Sequence, residues 1–537
     1  MKSLKIAGSI LTAIQLIVSI VLIYLAMSTK FVPFIWGFIG SIILIAIPVA
    51  LFILVFKHGK KVQITAMIFS GIFIVVISAL CYYLGVANKA IDDVTGNSTE
   101  VDEINVYVAK DDAVSSVNEA VEKDYIFAII ETDDMTHIQE TLDEIEKNEG
   151  KKVMTISYES IYKAVSGFEN EVVHGIITNK GNINILDNTE EYKDYSVNKL
   201  KVIMENEIVE EVEVPEEVVD EDIFCVYVSG IDTFGSVTAK SRSDVNIIGV
   251  VNNKTKTVLL LSTPRDYYVK LAQSTKNLKN SGDEMKSDSK KDVNGKEDKL
   301  THAGLYGIGC SMGTLEGIYD VDLNYYVRIN FSGFQKIIDK LGGVDVNSQY
   351  AFTSMTEEGT YEFSKGINHL TGEEALGFAR SRNFADGDRQ RGKNQMQVIK
   401  ATIEKLESSA MLKNYGSLMD ELSDTFQTNM SKDDVGYLVQ STLENGNWNV
   451  LTYSVSGSDS QKVCYSLGTS AYVMVPNTGD IDYGNKLIKK VLDGEELKQE
   501  EIDEYIVNKD NEDLITEEKP SEEEDKDSKD GKQTTTE

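Results

Sequence analysis

The first 90 residues contain three long stretches of apolar side chains, and no charged residue falls inside any of them. The stretches cover residues 6–29, 31–56 and 62–88. Each is longer than the roughly 20 residues that an α-helix needs to cross the apolar core of a bilayer. A cleaved signal peptide is the other interpretation of the first stretch, but two more stretches follow it and no small-residue cleavage site stands out. We therefore predict three transmembrane helices within residues 1–90.

The basic residues around these stretches predict their orientation. Only Lys30 lies between the first and second stretch. The other lysines precede the first stretch or separate the second from the third: Lys2, Lys5, Lys57, Lys60 and Lys61. Because basic loops tend to stay in the cytoplasm, we expect a cytoplasmic N-terminus. Everything after about residue 90 then lies outside the cell, as in a multi-pass cell-membrane protein.

The pattern beyond the apolar stretches alternates between strand-like and helix-like runs. Residues 91–102 read as a short polar stalk, and residues 103–214 predict a small extracellular α/β accessory domain, with apolar runs at 104–108 and 125–130 and an amphipathic helix at 135–148. The accessory domain has no arginine, no glycine-rich phosphate loop and no His/Asp constellation in its sequence. A spacer or a protein-interaction domain is the simplest interpretation of it.

An acidic linker at 215–221 precedes a second domain, which we predict over residues 222–475. Apolar runs at 245–251 and 257–262 flank the turn Asn252-Asn253-Lys254 and indicate a hairpin. Thr371 and Glu374 form a capping box that predicts the start of a helix. Strands and helices interleave, so we expect an α/β/α sandwich with both faces of the sheet covered. The polar stretch 274–299 is expected to be a mobile surface insertion, and the acidic tail 510–537 to be disordered.

Composition narrows the possible partners. The formal net charge of −33 argues against nucleic acid, whose phosphates need a basic surface. The four cysteines show no Cys-x-x-Cys spacing, so a structural zinc site is not expected. Cys310 and Cys464 are able to pair in an oxidising compartment or to remain ordinary thiols, and the sequence leaves both open.

Arginine is confined to one part of the chain. Lys and Arg together number 53, yet only seven residues are arginine: Arg242, Arg265, Arg328, Arg380, Arg382, Arg389 and Arg391. The planar guanidinium group donates two parallel hydrogen bonds to phosphate or carboxylate and stays charged. An anion site is one interpretation and buried ion pairs are the other, with equal weight for Arg328 in the middle of a predicted strand.

The positions of these arginines favour an anion site. Arg242 and Asp244 are two residues apart in an extended segment, so their side chains point to the same side. Arg265 follows a predicted strand, and ligand sites form where strands of an α/β sheet end. Arg380 and Arg382 repeat the two-residue spacing, and Arg391 and Gln395 share one face of a helix. These last four side chains are therefore also expected to face an anion.

Two aspartates suggest a cation beside the anion. Asp232 ends one predicted strand and Asp244 begins the next. Mg²⁺ prefers one or two carboxylates together with substrate phosphates and water. We therefore expect Mg²⁺ (or Mn²⁺) at Asp232 and Asp244. Plain salt bridges to the arginines are the alternative.

Seven motifs in one order resemble the LytR-CpsA-Psr family of bacterial cell-envelope enzymes. They extend from Phe224 to about Lys405, a third of the chain, and each is weak alone. The motifs are Gly230-Ile-Asp232, Arg242-Ser-Asp244, Pro264-Arg-Asp266, Val327-Arg-Ile-Asn-Phe-Ser-Gly-Phe334, Leu370-Thr-Gly-Glu-Glu-Ala-Leu376, Ala379-Arg-Ser-Arg382 and Gly387-Asp-Arg-Gln-Arg-Gly-Lys-Asn-Gln395. Asn394 replaces an arginine that many members carry, which weakens the resemblance at that position. Three spans and the additional domain at 103–214 also differ from the simplest members.

The resemblance implies a phosphotransferase that moves a glycopolymer, such as teichoic acid or capsule, from an undecaprenyl-diphosphate carrier to peptidoglycan in a Gram-positive cell envelope. It implies that Asp232 and Asp244 bind Mg²⁺ and that, with Arg265, they form the catalytic group. It also implies a diphosphate clamp supported by Asp388 and formed by Arg242, Arg265, Arg380, Arg382, Arg391 and Gln395. A polyprenyl-diphosphate hydrolase and a non-catalytic lipid-binding regulator of the cell wall are the alternative functions.

Overall fold

The computed structural model describes residues 2–28, 34–57, 59–95, 99–187, 189, 191–212, 222–231, 235–272, 293–356, 359–381, 384, 388–406, 426–445 and 448–517. It begins with three helices, α1 (Lys2–Ser28), α2 (Phe34–Lys57) and α3 (Lys60–Val94). Segments Ser3–Ser28, Ile35–Phe56 and Lys60–Val86 are long and apolar enough to cross a membrane. The three predicted spans are confirmed as helices that suit a membrane anchor. Helix α3 reaches Val94 and a strand begins at Thr99, so the predicted stalk at 91–102 is wrong for most of its length.

The accessory domain is an α/β unit built on a five-stranded sheet. Its strands are β1 (Thr99–Ala109), β2 (Ile126–Ile130), β3 (Met154–Tyr158), β4 (Gly175–Asn179) and β5 (Leu200–Glu211). Their order is β3-β2-β4-β1-β5, with β2 parallel to β3 and β4 and with β1 antiparallel to β4 and β5. The helices are α4 (Val117–Glu122), α5 (Met135–Glu149), α6 (Ile161–Glu169), α7 (Lys180–Asp187) and α8 (Tyr195–Lys199). Separate apolar clusters, one around Ile138 and one around Ile161, cover the two faces of this sheet.

The main domain, residues 222–495, is built on a six-stranded mixed sheet. The strands of the sheet are β6 (Ile223–Ile231), β7 (Ser243–Asn252), β8 (Thr257–Ser262), β11 (Tyr325–Ile329), β16 (Phe426–Thr428) and β17 (Asn449–Ser454). Their order is β16-β11-β6-β7-β8-β17. Strands β7 and β8 pair antiparallel, which confirms the predicted hairpin.

Four short strand pairs and a set of helices complete this domain. The pairs are β9 (Tyr268–Lys270) with β10 (Glu297–Lys299), β12 (Val344–Ser348) with β15 (Gly366–Leu370), β13 (Phe352–Met355) with β14 (Thr360–Phe363), and β18 (Gly457–Cys464) with β19 (Thr469–Pro476). The helices are a 3₁₀ helix (Leu300–Tyr306), α9 (Ile308–Tyr319), α10 (Phe331–Lys340), α11 (Gly372–Arg380), α12 (Asp388–Leu406), α13 (Lys432–Asn445) and α14 (Thr478–Leu492). The capping box of Thr371 and Glu374 begins α11 as predicted.

Helices cover both faces of the six-stranded sheet. On one face, Met396 and Ile399 of α12 and Leu438 of α13 pack against the sheet. On the other face, Gly484 of α14 lies so close that a Cβ there would be 2.9 Å from Leu261. The predicted α/β/α sandwich is confirmed. Because α14 packs on this sheet, the domain extends beyond the predicted end at residue 475.

Two other sequence interpretations need correction. The stretch 274–299 is not a surface insertion throughout, because β10 pairs with β9 and Asp298 is fully buried. The tail predicted at 510–537 overlaps a helix, α15 (Gln499–Glu517), which forms a separate unit, and residues 518–537 lie outside the described residues.

Among the cysteines, Cys310 and Cys464 are buried free thiols, so the bridge that the sequence left open is not formed.

Candidate active site

The arginines that the sequence singled out converge on one edge of the six-stranded sheet. Strands β6, β8, β11 and β17 all run in one direction, since β6 is parallel to β11, β8 is parallel to β17, and β7 pairs antiparallel with both β6 and β8. Their carboxyl ends therefore share one edge, and β7 starts there. Arg242 lies just before β7, Arg265 three residues after β8, and Arg391 in the first turn of α12. Strand direction thus brings together residues that are far apart in the sequence.

A single cavity of about 880 Å³ opens at this edge. Five cationic and two acidic side chains line it, giving a formal excess of three positive charges among the described residues: Arg242, Arg265, Lys299, Arg380 and Arg391 against Asp244 and Asp266. Gln395 lines the same cavity, as does the imidazole of His302. In a chain with a net charge of −33, this local excess of positive charge marks an anion site.

Arg265 is the centre of the ion-pair network in the cavity. Its Nη1 donates to Oδ2 of Asp244 at 2.6 Å, and its Nε lies 3.4 Å from Oδ2 of Asp266. Lys299 Nζ lies 2.9 Å from the other oxygen of Asp266. Burial alone would raise the pKa of Asp266, but Arg265 and Lys299 outweigh burial and lower that pKa to about 2. Asp266 therefore stays ionised and orients two of the cations.

The other predicted clamp residues occupy different parts of the cavity. Arg242 and Arg391 are largely buried, with 7 % and 6 % of their surface exposed. Arg380 is exposed, and its guanidinium carbon lies 4.4 Å from the centre of the Phe331 ring. Gln395 and Arg391 both line the cavity from α12, as the four-residue spacing predicts. The structure therefore brings together Arg242, Asp244, Arg265, Arg380, Arg391 and Gln395.

The side chains of three predicted site residues lie outside the described part of the structure. Asp232 and Arg382 lie outside the described residues. Asp388 is the first residue of α12, and its side chain also lies outside the described part of the chain. The roles predicted for these three stay predictions.

The sequence interpretation missed several residues that the structure adds to the site. Lys299 belongs to the stretch that composition assigned to a surface insertion, and Thr301 donates to Asp244 at 3.2 Å. His302 Nδ1 lies 2.7 Å from Oδ1 of Asp298 and 2.8 Å from the hydroxyl of Ser466. Burial would raise the pKa of Asp298, but His302 outweighs it and the pKa is lowered. The motif Pro264-Arg-Asp266 indicated only Asp266, the partner of Lys299.

An apolar groove continues from the charged part of the cavity. Its walls come from the ends of β6 and β11 and from helices α10, α11 and α12. The side chains that line it include Val228, Val327, Ile329, Phe331, Phe334, Ile337, Leu376, Ala379, Ile399 and Ile403. Apolar surface of this kind binds long hydrocarbon ligands, because their burial removes both surfaces from water. The cavity thus combines a phosphate-sized cationic part with a hydrocarbon-binding part.

Asp244 is the one predicted metal ligand among the described residues. One of its oxygens accepts from Arg265 and the other from Thr301. An ionised carboxylate accepts hydrogen bonds and binds cations through both of its oxygens. The carboxylate is partly open to the cavity, with 20 % of the side chain exposed. The carboxylate of Asp244 therefore fits as one oxygen ligand of Mg²⁺, and phosphate and water would supply the remaining ligands.

A second group of charges lies where the accessory domain meets the main domain. Arg328 is 1 % exposed and pairs with Glu100 of β1, and its Nη1 also donates to Gln427 at 3.4 Å. The alternative interpretation of Arg328, a structural ion pair, is therefore correct. Backbone hydrogen bonds of 2.9 Å also join Val101 to Thr238 and Lys240. The accessory domain is thus bonded directly to the main domain.

The expectation that the accessory domain has no His/Asp constellation is wrong. Asp102, Asp134 and His137 place ligand atoms within 4.8 Å of one another. His137 Nδ1 lies 2.6 Å from Asp102 and its Nε2 lies 3.1 Å from Glu210. Lys240 of the main domain lies 2.8 Å from Glu210 and 3.8 Å from Asp102. Two cations, His137 and Lys240, pair with these three carboxylates, so we interpret the group as a buried ion-pair network.

Fold and site together define a membrane-anchored α/β protein with a cationic cleft that continues into an apolar groove. The sequence model of the LytR_cpsA_psr family matches residues 189–479, more than half of the chain, and the chain belongs to that family. It is similar to the polyisoprenyl-teichoic acid–peptidoglycan teichoic acid transferase TagU of Bacillus cereus, with 32 % identity over 261 residues, 48 % of this chain and 75 % of the relative. The enzyme TagT of Bacillus subtilis is 33 % identical over 224 residues, 40 % of this chain and 63 % of the relative.

Solved structures of related proteins match about half of the chain. The crystal structure of B. subtilis TagV has 27 % identity and a TM-score of 0.41, and the match covers 51 % of this chain and 99 % of TagV. The structure titled TagT bound to LI-WTA has 27 % identity and a TM-score of 0.38, and the match covers 52 % of this chain and 94 % of TagT.

Proposed function

We propose that this protein transfers a glycopolymer from an undecaprenyl-diphosphate carrier to peptidoglycan. The continuity of a cationic cleft with an apolar groove in one cavity carries the proposal. A lipid-linked diphosphate has the same two parts, a long hydrocarbon and a doubly charged head. The relatives named as teichoic acid transferases support a transferase of this kind.

The apolar groove binds the isoprenoid chain. Side chains such as Phe334, Ile399 and Ile403 remove the hydrocarbon from water. The helices α1 to α3 hold the protein at the membrane that supplies the carrier. Following the positive-inside tendency, both domains lie outside the cell, where peptidoglycan is available as acceptor.

The cationic cleft binds the diphosphate. Arg242, Arg265 and Arg391 offer fixed forks of donors to the phosphate oxygens. Asp266 holds Arg265 and Lys299 in place before the substrate arrives, so little reorganisation is needed when charge develops. Asp244, together with Asp232, would hold Mg²⁺ or Mn²⁺, which supplies further neutralisation of the diphosphate when bound.

In the reaction, a sugar hydroxyl of peptidoglycan attacks the phosphorus next to the polymer. A P–O bond to the acceptor forms, the P–O bond to the bridging oxygen breaks, and polyprenyl phosphate leaves. The hydroxyl proton passes to solvent. Positioning and charge stabilisation are the main contributions that a protein makes to phosphoryl transfer. The arginines of the cleft contribute both positioning and charge stabilisation.

The test is an assay of the full chain in lipid vesicles with a polyprenyl-diphosphate-linked saccharide. Release of polyprenyl phosphate is measured with and without peptidoglycan. We expect release to require the acceptor and the divalent cation, and the saccharide to become attached to peptidoglycan. Equal release without acceptor would indicate a hydrolase, and saturable binding without release would indicate a regulator.

Asp244→Asn sharpens this assay, because it keeps the shape and removes the charge. We expect a loss of transfer of about 100-fold, since the neutral amide would hold Arg265 and the divalent cation, which stabilise the phosphate charge, less firmly. Asp345→Asn is the matched control: Asp345 is an exposed carboxylate paired with His369, and it does not line the cavity. Equal activity of the two variants would contradict the role of Asp244.

A further inference from the structure

The cavity has a third wall, and that wall belongs to the accessory domain. Tyr162 of α6, Ile185 of α7 and Thr189 line the same cavity as Arg242 and Arg265. The quoted motifs begin at Gly230, and Tyr162 and Ile185 also precede residue 189, where the match to the family model begins. The cavity is therefore closed on one side by residues that the motifs do not include.

Apolar packing holds this wall against the main domain. Ile185 is buried in one cluster with Cys464, Leu467 and Val473, and Tyr162 packs against the same cluster. The two domains also approach closely at Gly468, where a Cβ would lie 2.9 Å from Cβ of Ser160. A larger side chain at residue 468 would push the domains apart, so the close approach fixes the wall beside the cleft.

The cationic cleft adjoins both the apolar groove and this wall. Arg380 lies over Phe331, which lines the groove. Arg242 and Tyr162 line the same cavity. The groove residues belong to the sheet ends and to α10, α11 and α12, whereas the wall packs with the β18–β19 hairpin and Leu305. A ligand binds with its diphosphate at the arginines and its hydrocarbon in the groove. The group attached to the other end of the diphosphate then lies against the wall.

The chemistry of the wall suits a sugar. Tyr162 is partly buried, and its ring lies 5.9 Å from the ring of Tyr192 at an interplanar angle of 47°, which orients it. Burial raises the pKa of Tyr162, so its hydroxyl is a neutral donor and acceptor at physiological pH. Thr189 adds a second hydroxyl, which also donates to the carbonyl of Leu186 at 2.8 Å. An aromatic ring with neutral hydroxyl groups offers a sugar both an apolar face and hydrogen bonds.

We propose that the accessory domain forms a saccharide subsite of the active-site cleft, in which Tyr162, Ile185 and Thr189 contact the first sugar of the lipid-linked donor. This subsite rests on the proposed transferase function, since the diphosphate and lipid define which side of the cleft the sugar occupies. It gives the accessory domain a part in selecting the glycopolymer.

The test measures the affinity of the full-length protein for two probes, farnesyl diphosphate and farnesyl diphosphate that carries one N-acetylhexosamine. Tyr162→Ala is expected to weaken binding of the sugar-bearing probe about fivefold to tenfold, the equivalent of one lost hydrogen bond and contact. Binding of farnesyl diphosphate is expected to stay within about twofold. Equal losses for both probes, or no loss for either, would overturn the subsite.

Two further variants separate a contact from a folding defect. Thr189→Trp adds bulk to the wall and should also weaken only the sugar-bearing probe. Tyr125→Ala is the matched control, because Tyr125 is a tyrosine of the same domain that bonds to Asp112 and does not line the cavity. It should leave both affinities unchanged, and a selective loss in Tyr125→Ala would overturn the proposal.

The same measurement separates this subsite from the transferase itself. If wild-type protein does not bind farnesyl diphosphate, or if Arg265→Ala binds it equally well, the proposed function fails. If wild-type protein binds and transfers but Tyr162→Ala behaves as wild type with both probes, only the subsite fails. A change in the Michaelis constant for peptidoglycan alone would assign the wall to the acceptor and overturn its assignment to the donor.

Discussion

Two groups of buried charge in this protein use arginine in opposite ways. At the junction of the two domains, Arg328 is almost completely buried and its charge is matched by Glu100. At the cleft, Arg265 is bound to Asp244 and Asp266, but among the described residues five cations face two carboxylates across an open cavity. The Arg328–Glu100 pair is electrically balanced without a ligand, whereas the described residues of the cleft carry an excess of positive charge that an anion would balance.

The difference shows what distinguishes a structural arginine from a binding arginine. Both kinds are largely buried, and both make hydrogen bonds to carboxylates. Arg328 has no access to the cavity, while Arg265 and Arg391 line it. Removing one partner of a buried ion pair leaves the other charge away from water without compensation, so the effect is on folding. The loss of a cleft arginine should instead be felt in binding and catalysis.

The largest expected effect is on stability, at the junction. Arg328→Met leaves the carboxylate of Glu100 buried without its partner, and we expect the free energy of unfolding to fall by about 3–5 kcal/mol. Urea titration of the full chain in detergent, followed through the fluorescence of Trp448, measures it. The same variant should keep its transfer activity per folded molecule at low temperature.

A double variant separates the ion pair from general packing. Glu100 Oε1 also accepts from the backbone N–H of Ile308 at 2.9 Å, and a glutamine at residue 100 keeps that acceptor. Arg328→Met combined with Glu100→Gln should therefore recover part of the lost stability. If the double variant is as unstable as Arg328→Met alone, the unpaired carboxylate is not the cause.

The second effect is on activity, at the cleft. Arg265→Ala removes the guanidinium group that Asp244 and Asp266 hold at the diphosphate, and we expect transfer to fall about 100-fold to 1000-fold. Stability should change much less than in Arg328→Met, because Asp266 keeps Lys299. Initial rates of saccharide transfer to peptidoglycan, measured beside the urea titration, give both quantities.

Arg265→Lys is the control for charge alone. Lysine keeps the charge but not the planar fork of donors, so its activity should lie between wild type and alanine. Full activity of Arg265→Ala, or a loss explained entirely by unfolding, would remove the contrast between cleft and junction.

Local features of the fold were predictable from the sequence. Apolar stretches predicted the three membrane helices, because length and absence of charge are sufficient for a helix of this kind. The Thr371–Glu374 capping box predicted the start of α11, since both residues act within one turn. The clamp residues Arg242, Arg265 and Arg391 reached the same cavity because strand ends of one direction share an edge.

Features that depend on distant partners were not predictable. Arg328 and Glu100 are 228 positions apart, and nothing near Arg328 identifies its partner. His137 bonds to residues 35 and 73 positions away, and of the group only Asp134 lies near it in the sequence. Lys299 follows a polar, glycine-containing stretch whose composition indicates a surface insertion, yet its pairing in β10 places it in the cleft. Composition describes a segment on average and does not locate one side chain within it.

The smallest expected effect concerns pH at the junction network of His137, Asp102, Glu210 and Lys240, with Asp134 nearby at 3.7 Å. Burial lowers the pKa of His137, but hydrogen bonds to Asp102 and Glu210 outweigh burial and raise it to about 9. The pKa in the unfolded chain is about 6.5. The folded protein therefore binds the extra proton more tightly, and this contribution to stability is complete below about pH 6.5 and is lost as the pH rises through about 9.

We expect the free energy of unfolding to fall by about 1–3 kcal/mol between pH 6.5 and 9, since each pKa unit is worth about 1.4 kcal/mol and Glu210 is partly open to solvent. Urea titrations across this range measure it. Burial also raises the pKa of Asp133 to about 7, so the quantity to compare is the difference between wild type and His137→Gln. That difference should shrink with rising pH.

The cleft arginines do not titrate in this range, so they should contribute no pH dependence to farnesyl diphosphate binding by folded protein. A pH-independent difference between wild type and His137→Gln would contradict this prediction and show that His137 is neutral in the folded protein over this range.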